Sequence, residues 1–279
     1  MIRSKESLKA KLRRLSMETE IEPYYILQSF MFEEFLQRLS RSTYKKNFIV
    51  KGGMLLSAVF GAEFRSTIDL DITLKGLPLT EEILVKMIGE IVCEEHNSSV
   101  LFEFLKTVEI REHNVYGGYR VTLKATLDNL WTYLNIDFTA GDVITYREIE
   151  YAYKTILGND TINLLCYNYE TIIAEKFETI VSRGTYNSRM KDYYDIHMFV
   201  NFLWKDIDRV QLKQAIINTS KNRGSLKNID GCEEILKRIE EDSDIIKLWS
   251  KYKNRYVYAK TIDFSDVLNS IKKVSKVVK

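Results

Sequence analysis

The chain changes texture near residue 165, and that change limits its architecture more than any other feature. Before it, segments of helical and strand periodicity alternate; after it, helical periodicity is almost all that remains. In the first part, Ile26, Phe30, Phe32, Phe35 and Leu36 recur at near-helical spacing, and a short apolar strand, 48–50, runs through Lys51-Gly52-Gly53 into the helical stretch MLLSAVFGAEF. In IDLDITL, Ile68, Leu70 and Leu74 alternate with Asp69, Asp71 and Thr73, the period-2 pattern of a strand with one polar face. Residues 81–95 return to helical spacing, and strands are expected at 119–127 and 131–139, with Asp128-Asn129 as the turn between them. In the second part, 168–182 carries Ile172, Ile173, Phe177, Ile180 and Val181 on one helical face, and 191–204, 206–219, 231–249 and 263–277 read as further helices. The expected architecture is α+β: a small mixed sheet with helices over residues 1–164, then a helical bundle over 165–279. No Gly/Ser- or Pro-rich linker separates the two.

Composition narrows the function. With 45% apolar and 29% charged residues interspersed, the 279-residue chain reads as an ordered globular protein. A net charge of +2 gives no general case for nucleic-acid binding, so any such role must come from a local patch. Cys93, Cys166 and Cys232 are widely spaced, without the CxxC pair of a zinc site, and read as reduced thiols. The basic first residues lead into no apolar signal core, and no run approaches about 18 apolar residues, so a cytoplasmic protein with no membrane span is expected.

Chemistry-bearing residues gather in three places. Lys51-Gly52-Gly53 joins a strand to a helix, where missing side chains let backbone amides approach an anion, although such a turn also serves as a plain tight connection. On a strand, Asp69 and Asp71 point to one side, and two carboxylates that close are costly unless a cation lies between them. An isolated pair of this kind also reads as the solvated face of an edge strand. Asp137, in the similar strand LNIDFT, supplies the third carboxylate that two-metal phosphoryl transfer needs. In that scheme Asp69 and Asp71 bind two Mg²⁺ ions that hold an NTP, and Asp137 helps activate the acceptor. The third place is YETIIAEKFETIVSRG with RMKDYYDI, where Lys176, Arg183, Arg189 and Lys191 add positive charge. Lys176 could reach a triphosphate or lie on a solvated surface beside Glu175 and Glu178; Asp192 reads as a carboxylate at a helix start.

Taken together, VKGGMLLSAVFG, FRSTIDLDIT, YETIIAEKFETIVSRG and RMKDYYDI resemble the AbiEii/AbiGii-type toxin nucleotidyltransferases of abortive-infection and type IV toxin-antitoxin systems, within the DNA polymerase β-like superfamily. The resemblance spans roughly residues 45–200. It implies a polymerase β-like nucleotidyltransferase domain followed by the helical one, and a catalytic set of Asp69, Asp71, Asp137, Lys176 and Asp192. Lys51, Gly52, Gly53, Arg65, Thr67, Arg189 and Asp195 are implied to bind nucleotide. It implies further a separately encoded antitoxin as partner and an RNA acceptor, with the tRNA 3′ end leading. Phe177 stands where the family usually has Leu, and GTYNSRM lengthens the loop before Lys191-Asp192. Two other readings share these residues: a nucleotidyltransferase modifying a protein or small molecule, and a non-catalytic NTP-binding regulatory module.

Overall fold

The computed structural model describes residues 5–61, 69–94, 98–110, 117–157 and 160–279. Two compact units divide the chain: Met1–Gly141 with Glu148–Cys166, and Asp142–Arg147 with Tyr167–Lys279.

The first unit contains α1 (Lys5–Thr19), α2 (Pro23–Arg41), β1 (Phe48–Lys51), α3 (Gly52–Phe60), β2 (Asp69–Leu74), α4 (Glu81–Val92), β3 (Leu101–Ile110), β4 (Gly118–Leu127), β5 (Leu130–Ala140), β6 (Ile149–Lys154) and β7 (Thr161–Cys166). The seven strands form one mixed sheet in the order β3-β4-β5-β2-β1-β7-β6. Pairing is parallel between β2 and β5 and between β1 and β7, and antiparallel elsewhere. The sheet is larger than the small one expected: β3, β6 and β7 join the four strands read from the sequence, β6 and β7 with an alternation in burial that six residues make too short to single out. A bulge between Phe104 and Lys106 breaks the period of β3, whose side chains are half-buried or exposed throughout.

Alternation gives the sheet two unlike faces. Phe48 and Val50 of β1, Leu70 and Ile72 of β2, Ile136 and Phe138 of β5 and Val121 of β4 are buried together, with Phe48 and Phe138 meeting edge to face at 5.5 Å. Between them Asp71 of β2, Asp137 of β5 and Arg120 and Thr122 of β4 give the other face its polar side chains, while Ile49 of β1 is apolar and buried. α2 packs against β5 and β7, starting with Pro23 in its first turn, where a missing N–H costs nothing. Its Gln28 Nε2 donates to the Tyr133 carbonyl at 3.1 Å.

The second unit is helical: α5 (Tyr169–Arg183), α6 (Met190–Met198), α7 (Arg209–Asn222), α8 (Leu226–Asp230), α9 (Cys232–Glu241), α10 (Ser243–Arg255) and α11 (Phe264–Val278). Residues 142–147 belong to it because Asn168, the N-cap of α5, donates from Nδ2 to the carbonyls of Thr145 and Arg147 at 2.8 and 3.0 Å. The stretch 231–249, expected as one helix, is two. Asp242 ends α9 in an extended conformation and caps α10, its Oδ1 accepting from the amides of Asp244 and Ile245. No described helix is long and apolar enough to cross a membrane.

Candidate active site

The polar face of the sheet is set by register. β2 and β5 run parallel with Asp71 level with Asp137 and Asp69 level with Asn135, so all four side chains project to one side. Lys51 of β1 is level with Asp71, and Arg120 of β4 with Asp137, which adds two cations to the same face. Lys51 Nζ donates to Thr139 Oγ1 at 2.8 Å, and Thr139 lies 3.3 Å from Thr73 Oγ1. One central strip thus sets two carboxylates, Asp137 and Asp71, between two cations, Arg120 and Lys51, across four strands, while its reverse side is core.

Gly52 fits into this strip for two reasons. Its φ of +70° is a conformation that L side chains rarely adopt, and a Cβ there would fall 1.8 Å from Asp71 Oδ2. The missing side chain therefore makes room for the Asp71 carboxylate where β1 turns into α3. Gly53 follows as a buried residue of α3. Arg65 and Thr67 lie outside the described residues.

Arg120 is the site residue that sequence reasoning missed. Its Nε and Nη2 donate to Asp137 Oδ1 and Oδ2 at 2.6 and 2.7 Å, a bidentate pair. Those hydrogen bonds raise the guanidinium's pKa above its ordinary range against the opposing effect of burial, and the charges of Asp137, Asp69 and Asp71 reinforce them. Only pairing across the β4-β5 hairpin reveals it; the Asp128-Asn129 turn that fixes this pairing was the available signal.

A divalent metal is implied by the family, and the donors suit one: Asp69, Asp71 and Asp137 offer hard carboxylate oxygens from one face of two adjacent strands. Among the described residues no three His, Cys, Asp or Glu groups are already gathered tightly into a metal cradle. The pairing of Asp137 with Arg120 supplies a physical reason, since that carboxylate is directed toward the guanidinium.

The second unit holds a separate constellation. Lys176 of α5 is not on a solvated surface beside Glu175 and Glu178. Its side chain is only 12% exposed, and Nζ lies 3.0 Å from Asp192 Oδ1 and 2.7 Å from Asp195 Oδ2. Asp192 and Asp195, three apart on α6, share the helix face that meets Lys176, and both are buried. Arg189 Nε donates to the other Asp192 oxygen at 2.8 Å. Burial alone would raise the Asp192 pKa, but Lys176 and Arg189 together hold it below the ordinary carboxylate value. Glu175 and Glu178 instead grip Arg223, the residue that caps the end of α7, at 3.2 and 2.7 Å. Tyr193 and Tyr194 are fully buried and pack rather than stack a ligand.

The model of the nucleotidyl transferase AbiEii toxin family, type IV toxin-antitoxin system, matches residues 34–270. The chain belongs to this family. It is accordingly a nucleotidyltransferase, and membership implies a separate antitoxin. Among solved structures, it is similar to MenT4, a nucleotidyltransferase toxin from Mycobacterium tuberculosis, at a TM-score of 0.56 and 14% identity over 92% of this chain and 94% of that one. It is similar also to a Helicobacter pylori protein described as a nucleotidyltransferase, at a TM-score of 0.51 and 11% identity over 92% and 96%. Those likenesses are in fold. No curated protein matches the chain.

Proposed function

We propose that this family member transfers a nucleotidyl group from an NTP to the 3′ end of tRNA, using two Mg²⁺ ions held by Asp69, Asp71 and Asp137. The observation that carries the reading is the level placement of Asp71 and Asp137 on parallel neighbouring strands, with Asp69 on the same face. Bound there, the metal neutralises phosphate charge and lowers the pKa of the acceptor hydroxyl. The hydroxyl oxygen bonds to the α-phosphorus, the bond from that phosphorus to pyrophosphate breaks, and the proton passes toward Asp137. Lys51 and Arg120, flanking the carboxylates, keep the face from carrying three unopposed negative charges before substrate arrives.

In the same reading Lys176 and Arg189, both on the helical unit, serve as phosphate-binding cations. Asp192 and Asp195 hold Lys176 in a fixed position, which removes the entropy that a free lysine would lose on binding. The biological outcome is growth arrest when antitoxin is lost, in the cytoplasm where tRNA is available, and with it defence against phage.

The test is purified protein incubated with Mg²⁺, total tRNA and each labelled NTP in turn. Label should enter RNA with one or more of the four and disappear in Asp71→Asn. Label appearing only in protein or a small molecule would replace the acceptor; NTP binding with no transfer to any acceptor would overturn the proposal.

A further inference from the structure

Residues 247–260, KLWSKYKNRYVYAK, contain five Lys or Arg and no Asp or Glu, so one short window carries more positive charge than the chain's net +2. The fold arranges it as a surface. Lys247, Lys251 and Arg255 recur every four residues and lie exposed along one side of α10, while Ile245 and Trp249 bury the other. Beyond the helix, Tyr256 and Tyr258 stack at 5.2 Å with planes 18° apart, and Tyr252 lies 4.8 Å from Tyr256. All three rings are half-buried. The Arg255 guanidinium sits 5.5 Å from the Tyr256 ring centroid, and exposed Lys260 follows the short turn.

Basic residues at a helix C-terminus complement its dipole, which accounts for Lys253 and Arg255. It does not account for Lys247 and Lys251, which lie further up the helix, for Lys260 beyond its end, or for a half-exposed ring stack. Lys253 is held by Asp263 at 3.0 Å and Lys247 by Asp244 at 2.9 Å. Among the described residues no carboxylate forms an ion pair with Lys251, Arg255 or Lys260. The surface is also anchored to α6 of its own unit: the Tyr194 ring, between Asp192 and Asp195, lies 4.9 Å from Tyr258 and 6.1 Å from Tyr252.

We propose that this surface binds single-stranded RNA. Phosphates follow Lys251, Arg255 and Lys260, and an unpaired base stacks on the Tyr256-Tyr258 pair. A line of cations tracks a flexible backbone, and ring faces accept bases only where these are not already stacked in a duplex. The proposal rests on the reading of RNA as acceptor and supplies that reading with a place for the strand.

The test uses the full chain with EDTA and no nucleotide, so catalysis plays no part. A labelled, unstructured RNA of about 20 nucleotides and a blunt RNA duplex of the same length are titrated by anisotropy between about 50 and 200 mM salt. The single strand should bind more tightly than the duplex. Lys251→Ala/Arg255→Ala/Lys260→Ala should weaken it by about tenfold or more and flatten the log–log salt slope by about 2, since each single-strand phosphate contact contributes about 0.7. Tyr256→Ala should weaken binding about tenfold at an unchanged slope, and Tyr256→Phe, which keeps the ring, should bind normally. Melting curves confirm that each variant is folded. No binding by the unsubstituted chain, unaltered binding by the triple variant, or preference for the duplex would overturn the proposal. Labelling of RNA undiminished in the triple variant overturns this surface and leaves the acceptor reading standing; binding without labelling overturns the acceptor reading instead.

Discussion

Asp137 makes both of its strong hydrogen bonds to Arg120, at 2.6 and 2.7 Å, and the Arg120 side chain is 39% exposed. A metal that uses Asp137 must therefore compete with a guanidinium for the same oxygens. An ion pair this accessible is worth about 1 kcal/mol, so Arg120→Ala should tighten Mn²⁺ binding by about fivefold, read by calorimetric titration of the apoprotein. Unchanged affinity would mean that Asp137 is not a ligand. Lys176 poses the opposite case. Asp192 and Asp195 are each 1% exposed, and Lys176→Met takes away the cation they share, leaving Arg189 and Lys191 near Asp192. Removing one partner from a buried ionic cluster costs about 3–5 kcal/mol, so the variant should melt far below the parent, and Lys176→Arg much closer to it. Equal melting of all three would show the cluster to be dispensable for folding.

At the scale of elements, the β1-to-α3 junction exists because Gly52 has no side chain. Gly52→Ala should cost about 1–3 kcal/mol in backbone strain alone, lowering the melting temperature, and should also displace Asp71 and abolish nucleotidyl transfer. Retained transfer would show that the Asp71 carboxylate tolerates another position. The strands at the heart of the site were readable in advance, because β2, β4 and β5 keep a strict alternation and a two-residue turn joins the last two. That alternation places Asp69, Asp71 and Asp137 on polar faces but cannot say which strands are neighbours; the level pairing of Asp71 with Asp137 comes from β2 lying parallel beside β5. Arg120 escaped for the same reason, and the anionic partners of Lys176 lie on another helix. The break at Asp242 was visible as an N-cap within the acidic run 240–244, yet the apolar spacing continued through it.

For the whole molecule, buried carboxyl groups shape the pH dependence of stability from opposite ends: burial raises the pKa of Glu33 and of its neighbour Glu34, and Asp192 is lowered. Burial drives the Glu33 pKa from 4.5 up to about 8, against the opposing hydrogen bonds from the Ile156 amide and Tyr153 hydroxyl. The folded chain then keeps a proton that the unfolded chain has released, so stability falls with rising pH across that interval, by about 1.4 kcal/mol per unit. Asp192 is depressed, so its contribution is present above the ordinary carboxylate value and disappears as pH falls through the folded value. Melting temperature should peak in mildly acidic buffer. Glu33→Gln, which keeps an acceptor for Tyr153 and Ile156, should shrink the decline toward pH 8 to what Glu34 contributes; an undiminished decline in the variant would assign it elsewhere.

The Asp128-Asn129 turn has a further consequence. Leu127 pairs with Leu130 across it, and every later pair of the hairpin, including Arg120 with Asp137, is counted from that point. An inserted or deleted residue there would slip β5 by one position, turning Ile136 outward and burying Asp137. Length variation among related chains should therefore collect in other loops, while this turn is inherited at a fixed size, as the reading frame of the active face.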